Sequence, residues 1–298
     1  MKHWKPAVIA ALWSGALYAA PMPVVASFSI LGDVAQQIGG ERVAVQSLVG
    51  ANQDAHAYNL TSSDIKKIRE ARLVLLNGLG LEKAELQRAV KQSKVASAEA
   101  TAGIKPLAAD EHHHEHNHGH DHDHGEFDPH VWNDPVLMQR YAANVAIALI
   151  KADPAGSRYY QQRFKDYQNV LNQLNNYANQ QFGAVAPAKR KVLTGHDSFA
   201  YLGKRYQVKF ISPQGVSSEA EPSARQIAAI IRQIKAENVK AVFTENIKDG
   251  RMIARIAKET GVKVSGGLYA DALSSGAPAG TYADMFRYNV RVMSEAMK

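Results

Sequence analysis

Thr61-Ser62-Ser63-Asp64-Ile65-Lys66-Lys67-Ile68-Arg69-Glu70-Ala71-Arg72-Leu73-Val74-Leu75-Leu76-Asn77-Gly78 carries the repeating unit of this chain in one stretch. Thr61 with an acidic residue three positions on is a helix start of the capping-box type. Ile65, Ile68 and Ala71 then recur at helical spacing. Leu73 to Leu76 is an unbroken apolar run that stops at the turn pair Asn77-Gly78, which is how a strand covered on both faces reads. A helix running into a strand buried on both faces is the unit of a parallel sheet.

The same rhythm extends in both directions. Upstream, Val24 to Ile30 is strand-like, Leu31 to Ile38 has helical spacing, and Val43 to Val49 alternates as a strand. Downstream, a helix is expected from about Glu82 to Gln92, and another from Pro135 through Val136, Leu137, Tyr141, Val145 and Leu149. Asp153-Pro154 ends it. From Ser157 to about Gln181 lies a long Gln- and Asn-rich helix with Tyr160, Phe164, Tyr167, Leu171, Leu174 and Tyr177 in one narrow stripe. A helix that packs on one side only suits a bridge between two bodies.

Beyond Pro187 the alternation restarts. Strands are expected at Lys191–Thr194, Val208–Ile211, Ala241–Thr244 and Val262–Leu268. Helices are expected at Phe199–Tyr206, Ser223–Glu237, Arg251–Thr260 and Tyr282–Met297. The fold class is therefore α/β, with two β-α lobes of parallel sheet, at 20–153 and 187–298, joined by a rigid bridging helix over 154–186.

The first residues are of another kind. Lys2 and Lys5 precede the apolar stretch Ala7 to Ala19, small residues stand at Ala19 and Ala20, and Pro21 and Pro23 follow. This predicts a cleaved signal peptide over 1–19 and a periplasmic mature chain. The chain has no cysteine. That excludes disulfides, thiolate ligands and a cysteine nucleophile, and predicts a protein without a lipid anchor. Lys2 and Lys5 belong to the formal charge of +7, leaving +5 in a mature chain. The basic residues are dispersed, so nucleic acid is not an expected partner.

Between about 108 and 127 the pattern breaks. Glu111 to His124 reads E-H-H-H-E-H-N-H-G-H-D-H-D-H and holds eight of the twelve histidines: His112, His113, His114, His116, His118, His120, His122 and His124. With no hydrophobic residue this loop has nothing to bury, and its composition reads as metal binding. Outside it and the leader only His56, His130 and His196 remain. A lone loop histidine is usually a solvent-exposed or capping residue. Here His56, His196 and a carboxylate, Asp271, each follow the carboxyl end of an expected strand, where open α/β sheets gather ligands.

These segments resemble the metal-specific solute-binding proteins of ABC importers. Asp54-Ala55-His56-Ala57-Tyr58 with Ser63-Asp64 is similar to that family's D-P-H-x-Y…P-S-D, with Ala55 in place of the proline. Asp128-Pro129-His130-Val131-Trp132 with Asp134-Pro135 is similar to D-P-H-x-W-x-D-P. His196-Asp197-Ser198-Phe199-Ala200-Tyr201, Ser218-Glu219-Ala220-Glu221-Pro222-Ser223 and Leu268-Tyr269-Ala270-Asp271 follow in the family's order. The resemblance implies a metal site in the cleft between the lobes, with His56, His130, His196 and Asp271 as ligands and the histidine tract as an accessory low-affinity loop. It also implies a monomeric carrier that docks peripherally on a membrane permease coupled to a cytoplasmic ATPase. Glu219 and Glu221 are either docking residues or loop and helix-start residues.

Three imidazoles and one carboxylate suit tetrahedral Zn²⁺, here a transported ligand. Manganese-specific relatives place a glutamate where this chain has His196, and hard Mn²⁺ favours oxygen donors. Manganese or another divalent metal is the alternative cargo. Two readings from other classes stand beside transport. If Asp271 lies outside the shell, a position opens for water and the protein is a secreted zinc hydrolase, although H-E-x-x-H is absent. If the tract alone binds, the protein is a metal buffer. No enzyme is expected. Because imidazoles must lose their protons to bind metal, affinity should fall as pH drops toward their ordinary pKa of about 6.5.

Overall fold

The computed structural model describes residues 20–109 and 127–298; the signal peptide expected at 1–19 and the tract from His112 to His124 lie outside the described residues. The first lobe runs β1 (Met22–Phe28), α1 (Ser29–Gly39), β2 (Val43–Val49), α2 (Ser62–Glu70), β3 (Leu73–Leu76), α3 (Ala84–Ser93) and β4 (Ala96–Glu99). Two helices follow, α4 (Leu137–Ala152) and α5 (Ser157–Gly183). The second lobe runs β5 (Lys191–Leu193), α6 (Ala200–Tyr206), β6 (Lys209–Ile211), α7 (Ala224–Glu237), β7 (Ala241–Glu245), α8 (Arg251–Thr260), β8 (Gly266–Leu268) and α9 (Tyr282–Met297).

Both sheets are wholly parallel. Their strand orders, β2-β1-β3-β4 and β6-β5-β7-β8, are the same topology used twice. Side chains alternate across each sheet, so one set of strand residues faces inward and the next outward. Val24, Ala26, Phe28, Leu73 and Leu75 join the large inner core, whereas Val25, Leu48, Val74 and Leu76 meet Ile68 of α2 and Leu86 and Val90 of α3. The second lobe repeats this, with Val192, Ala241 and Phe243 inward and Leu193, Ile211 and Val242 against α7 and α8. The inner core is continuous from one lobe to the other, passing through Tyr160, Tyr167, Leu171, Leu174 and Phe182 of α5 and Met285, Phe286 and Met293 of α9. At about 40 Å, the length of its 27 residues at the α-helical rise, α5 bridges both lobes. Among the described residues no helix is long and apolar enough to cross a membrane.

Three elements depart from the sequence reading. The strand expected at Val262–Leu268 shrinks to Gly266–Leu268, because Val264 stands 39% exposed and the preceding residues form a loop. β4 has no apolar signature, since Ala96-Ser97-Ala98-Glu99 is a largely exposed edge held only by β3. On α5 the buried stripe includes Ala178 and Phe182, while Phe164 and Tyr177 are half-buried at its margin. The capping box is as expected. Thr61 accepts from the Asp64 amide, and the Asp64 carboxylate accepts from the Thr61 amide at 3.0 Å.

Candidate metal centre

His56, His130, His196 and Asp271 come together between the lobes, with one donor atom from each lying within 4.8 Å of the others. His56 lies in the loop after β2, His196 after β5 and Asp271 after β8, each past the carboxyl end of its strand. His130 stands at the start of a short 3₁₀ turn, Val131–Asn133, ahead of α4. All four are buried; only His56, at 7%, touches solvent measurably.

The ring nitrogens face one point. His56 Nε2 is 3.2 Å from His130 Nε2 and 3.4 Å from Asp271 Oδ2. His130 Nε2 is 3.5 Å from Asp271 Oδ1, and His196 Nε2 is 3.1 Å from Asp271 Oδ2. Ligands about 2.05 Å from a tetrahedral metal stand ~3.3 Å apart, so these separations are edges of a coordination shell. The donors that face inward lack conventional partners. His196 Nε2 and both oxygens of Asp271 are buried without a hydrogen bond. A buried carboxylate without a hydrogen bond costs several kcal/mol unless positive charge stands against it, either a cation or the protonated His130 and His196 rings.

Two carboxylates outside the cluster aim the rings. Asp128 Oδ1 accepts from the His130 amide at 2.9 Å and lies 2.7 Å from His130 Nδ1. Glu245, at the end of β7, accepts from the Gly195 amide at 2.9 Å and lies 2.6 Å from His196 Nδ1. With Nδ1 donating to a carboxylate, Nε2 is left as the lone-pair nitrogen that a metal needs. The role of Glu245 escaped the sequence reading. Its place as the last residue of a strand does not by itself mark it as a partner of His196.

The electrostatics describe a site that wants positive charge. Burial alone would depress the His130 pKa, but Asp271 and Asp128 outweigh it and hold it at about 9. His196 is likewise opposed by burial, yet it is held well above 6.5 by Glu245 and Asp271. Burial would raise Asp271, but His196 and His130 hold it well below the usual carboxylate range. Without metal, these carboxylates favour the protonated forms of His130 and His196. A divalent cation can replace those protons.

The His56 loop is fixed by its own side chains. Asp54 Oδ1 accepts from the amides of His56 at 2.9 Å and Ala57 at 3.3 Å. Tyr58 donates to Asp64 at 2.6 Å, tying the loop to the start of α2. Ala55 is buried and joins the inner core. Glu219 pairs with Lys83 across the lobes at 2.8 Å, and Ser223 caps α7.

Known proteins share the sequence and the fold of this chain. The manganese-binding lipoprotein MntA of Bacillus subtilis is 32% identical over 287 residues, covering 93% of this chain and 90% of that protein. The solved periplasmic zinc-binding protein TroA of Treponema pallidum superposes with a TM-score of 0.85 at 26% identity, covering 93% of this chain and 99% of that one. The Mn-bound periplasmic metal-binding protein of Candidatus Liberibacter asiaticus gives 0.79 at 28% identity, covering 93% and 100%. The shared fold is two parallel-sheet α/β lobes with the metal-binding group between them.

One expectation is corrected by these relatives. MntA and others among them are named lipoproteins, so the unanchored periplasmic state read from the missing cysteine is withdrawn.

Substrate-binding proteins of this kind deliver divalent metal to an importer of permease and ATPase and are not an enzyme family. The family model described as zinc-uptake complex component A, periplasmic (ZnuA), matches residues 24–296, and the chain belongs to that family.

Proposed function

We propose that this chain captures Zn²⁺ through His56, His130, His196 and Asp271 and hands it to its ABC importer. The observation carrying this reading is the convergence of three imidazole Nε2 atoms and the Asp271 carboxylate at 3.1 to 3.5 Å. Nitrogen donors dominate, one negative charge is supplied, and four protein ligands satisfy a tetrahedral ion without solvent. The same four-donor shell speaks against a hydrolase, which needs a coordination position for water. The carrier acts as a monomer, with lobes at 20–153 and 187–298 around the linker at 154–186. The histidine tract is an accessory collector. Its flanks are joined by a bridge between Ala108 and Phe127, just ahead of Asp128 and His130.

Manganese is the second reading, favoured by the manganese-binding names of relatives such as MntA. Affinity ratios do not separate the two, because most nitrogen-rich sites bind zinc above manganese whatever their cargo. Growth separates them. A strain lacking the chain, starved with a chelator, should be rescued by added zinc and not by manganese. Rescue by manganese alone would move the cargo to the second reading.

A further inference from the structure

Three of the four candidate ligands are fully enclosed, and His56 alone is both solvent-touching and carried on an extended irregular segment, between Val49 and Ser62. The loop is held from the opposite lobe as well. Asp54 uses Oδ1 to fix the His56 and Ala57 amides, and its other oxygen, Oδ2, accepts from Ser218 Oγ at 2.5 Å. Ser218 is itself fully buried, in a segment braced by Gln214, whose Nε2 donates to the carbonyls of Ser218 at 3.1 Å and Ala220 at 2.7 Å. At the near end of the loop, the Asn52 amide donates to the Leu273 carbonyl at 2.8 Å, and Asn246 Nδ2 donates to Asn52 Oδ1 at 2.9 Å.

We propose that the Asp54–Ser218 hydrogen bond is a latch that couples apposition of the lobes to the place of His56, and so sets the rate of metal release. One carboxylate joins the two events. While Ser218 holds Oδ2, the carboxylate is fixed and Oδ1 keeps the His56 backbone against the cluster. When the 214–220 segment withdraws, Asp54 is free to turn and His56 leaves the site with it. Ser218 is a positioning residue, acting through Asp54 on His56. The latch rests on the metal reading above.

The test is release of zinc from the full chain into excess chromogenic chelator, followed by stopped flow. Loss of one hydrogen bond to a charged acceptor predicts about tenfold faster release of the tight zinc from Ser218→Ala, with one tight zinc per chain still bound beforehand. Asp54→Ala should release at least as fast, and adding S218A to it should change nothing further. Unchanged release from S218A, or speed-ups that multiply in the double variant, overturns the latch. A native chain that binds no stoichiometric zinc before chelator is added overturns the metal reading itself, which is a separate result.

Discussion

Trp132 Nε1 donates to the carbonyl of Ala270 at 2.8 Å, a bond across 138 positions of sequence that sets Asp271 beside His130. The indole is fully buried, packs at 5.1 Å against the His130 ring and at 4.9 Å against Phe28, and its own carbonyl accepts from Tyr282 Oη at 2.9 Å. One side chain thus supports a candidate ligand of each lobe. Trp132→Phe should keep most of the packing but leave the Ala270 carbonyl unpaired. Such a buried acceptor costs ~1–3 kcal/mol. We expect urea denaturation of the metal-free variant to show that loss, and zinc affinity to fall roughly tenfold with one site retained. Equal affinity in the variant would mean that Asp271 is placed without the indole.

Glu245 and Asp128 orient imidazoles and touch no metal, so their removal should weaken the site without abolishing it. Outer carboxylates of this kind are typically worth roughly 10–100-fold in metal affinity. Glu245→Gln should fall in that range in a competition titration, with one zinc per chain. Asp271→Ala should lose much more, since among the described residues it removes the only carboxylate grouped with the three Nε2 atoms. A Glu245→Gln chain as tight as the native one would show that strand and loop backbone alone aim His196.

The pH dependence moves upward from the sequence expectation. His130 is held at about 9 and His196 is raised well above the usual imidazole range, so both rings favour the protonated form when no metal is bound. A raised imidazole pKa stabilises the folded metal-free state fully below about 6.5, and that contribution is lost as pH rises through about 9. Metal has the opposite sign. It must displace those protons, so affinity should climb from pH 6 to pH 9 rather than level off near neutrality. Zinc calorimetry at pH 7 in buffers of different ionisation enthalpy should report about two protons released per ion. Release near zero would mean that the rings are neutral before metal arrives.

The local rules that the sequence carries are the ones that survive folding. The Leu73–Leu76 strand and the Thr61 capping box were legible because their causes lie within a few residues. His56, His196 and Asp271 were legible as loop residues past strand ends, and the structure puts them in one cluster with His130. Glu245 was not, because its partner is 49 residues away and nothing local distinguishes it from a strand-end carboxylate. β4 was not, because an exposed edge needs no apolar alternation and takes its shape from β3. Pairings such as Asp54 with Ser218 depend on the two lobes meeting, which no window of sequence contains.

Deleting residues 111–124 separates the cleft from the tract. Eight histidines go with the segment, while the four clustered donors remain. Calorimetry should keep one tight zinc and lose the additional weak equivalents. Loss of nearly all binding would make the tract the working part and the protein a buffer.

Asp64 offers a test of how firmly the His56 loop must be held from its own lobe. Its carboxylate accepts from Thr61, Tyr58 and Lys67, at 3.0 Å from the Thr61 amide, 2.6 Å from Tyr58 Oη and 3.0 Å from Lys67 Nζ. Burial would raise its pKa, but these hydrogen bonds outweigh it and bring the group down to about 2. A depressed carboxylate contributes stability that is full above its unfolded pKa of about 3.9 and is lost as pH falls through about 2. Asp64→Ala should therefore cost ~1–2 kcal/mol at neutral pH through the lost cap and the freed Tyr58 hydroxyl, and the deficit should shrink between pH 4 and pH 2. Tyr58 is two residues from His56, so the variant should also release zinc faster than native. Urea titrations across that pH range and a chelator chase read the two effects separately. A stability deficit with native release would show that the Ser218 contact from the other lobe holds the loop on its own.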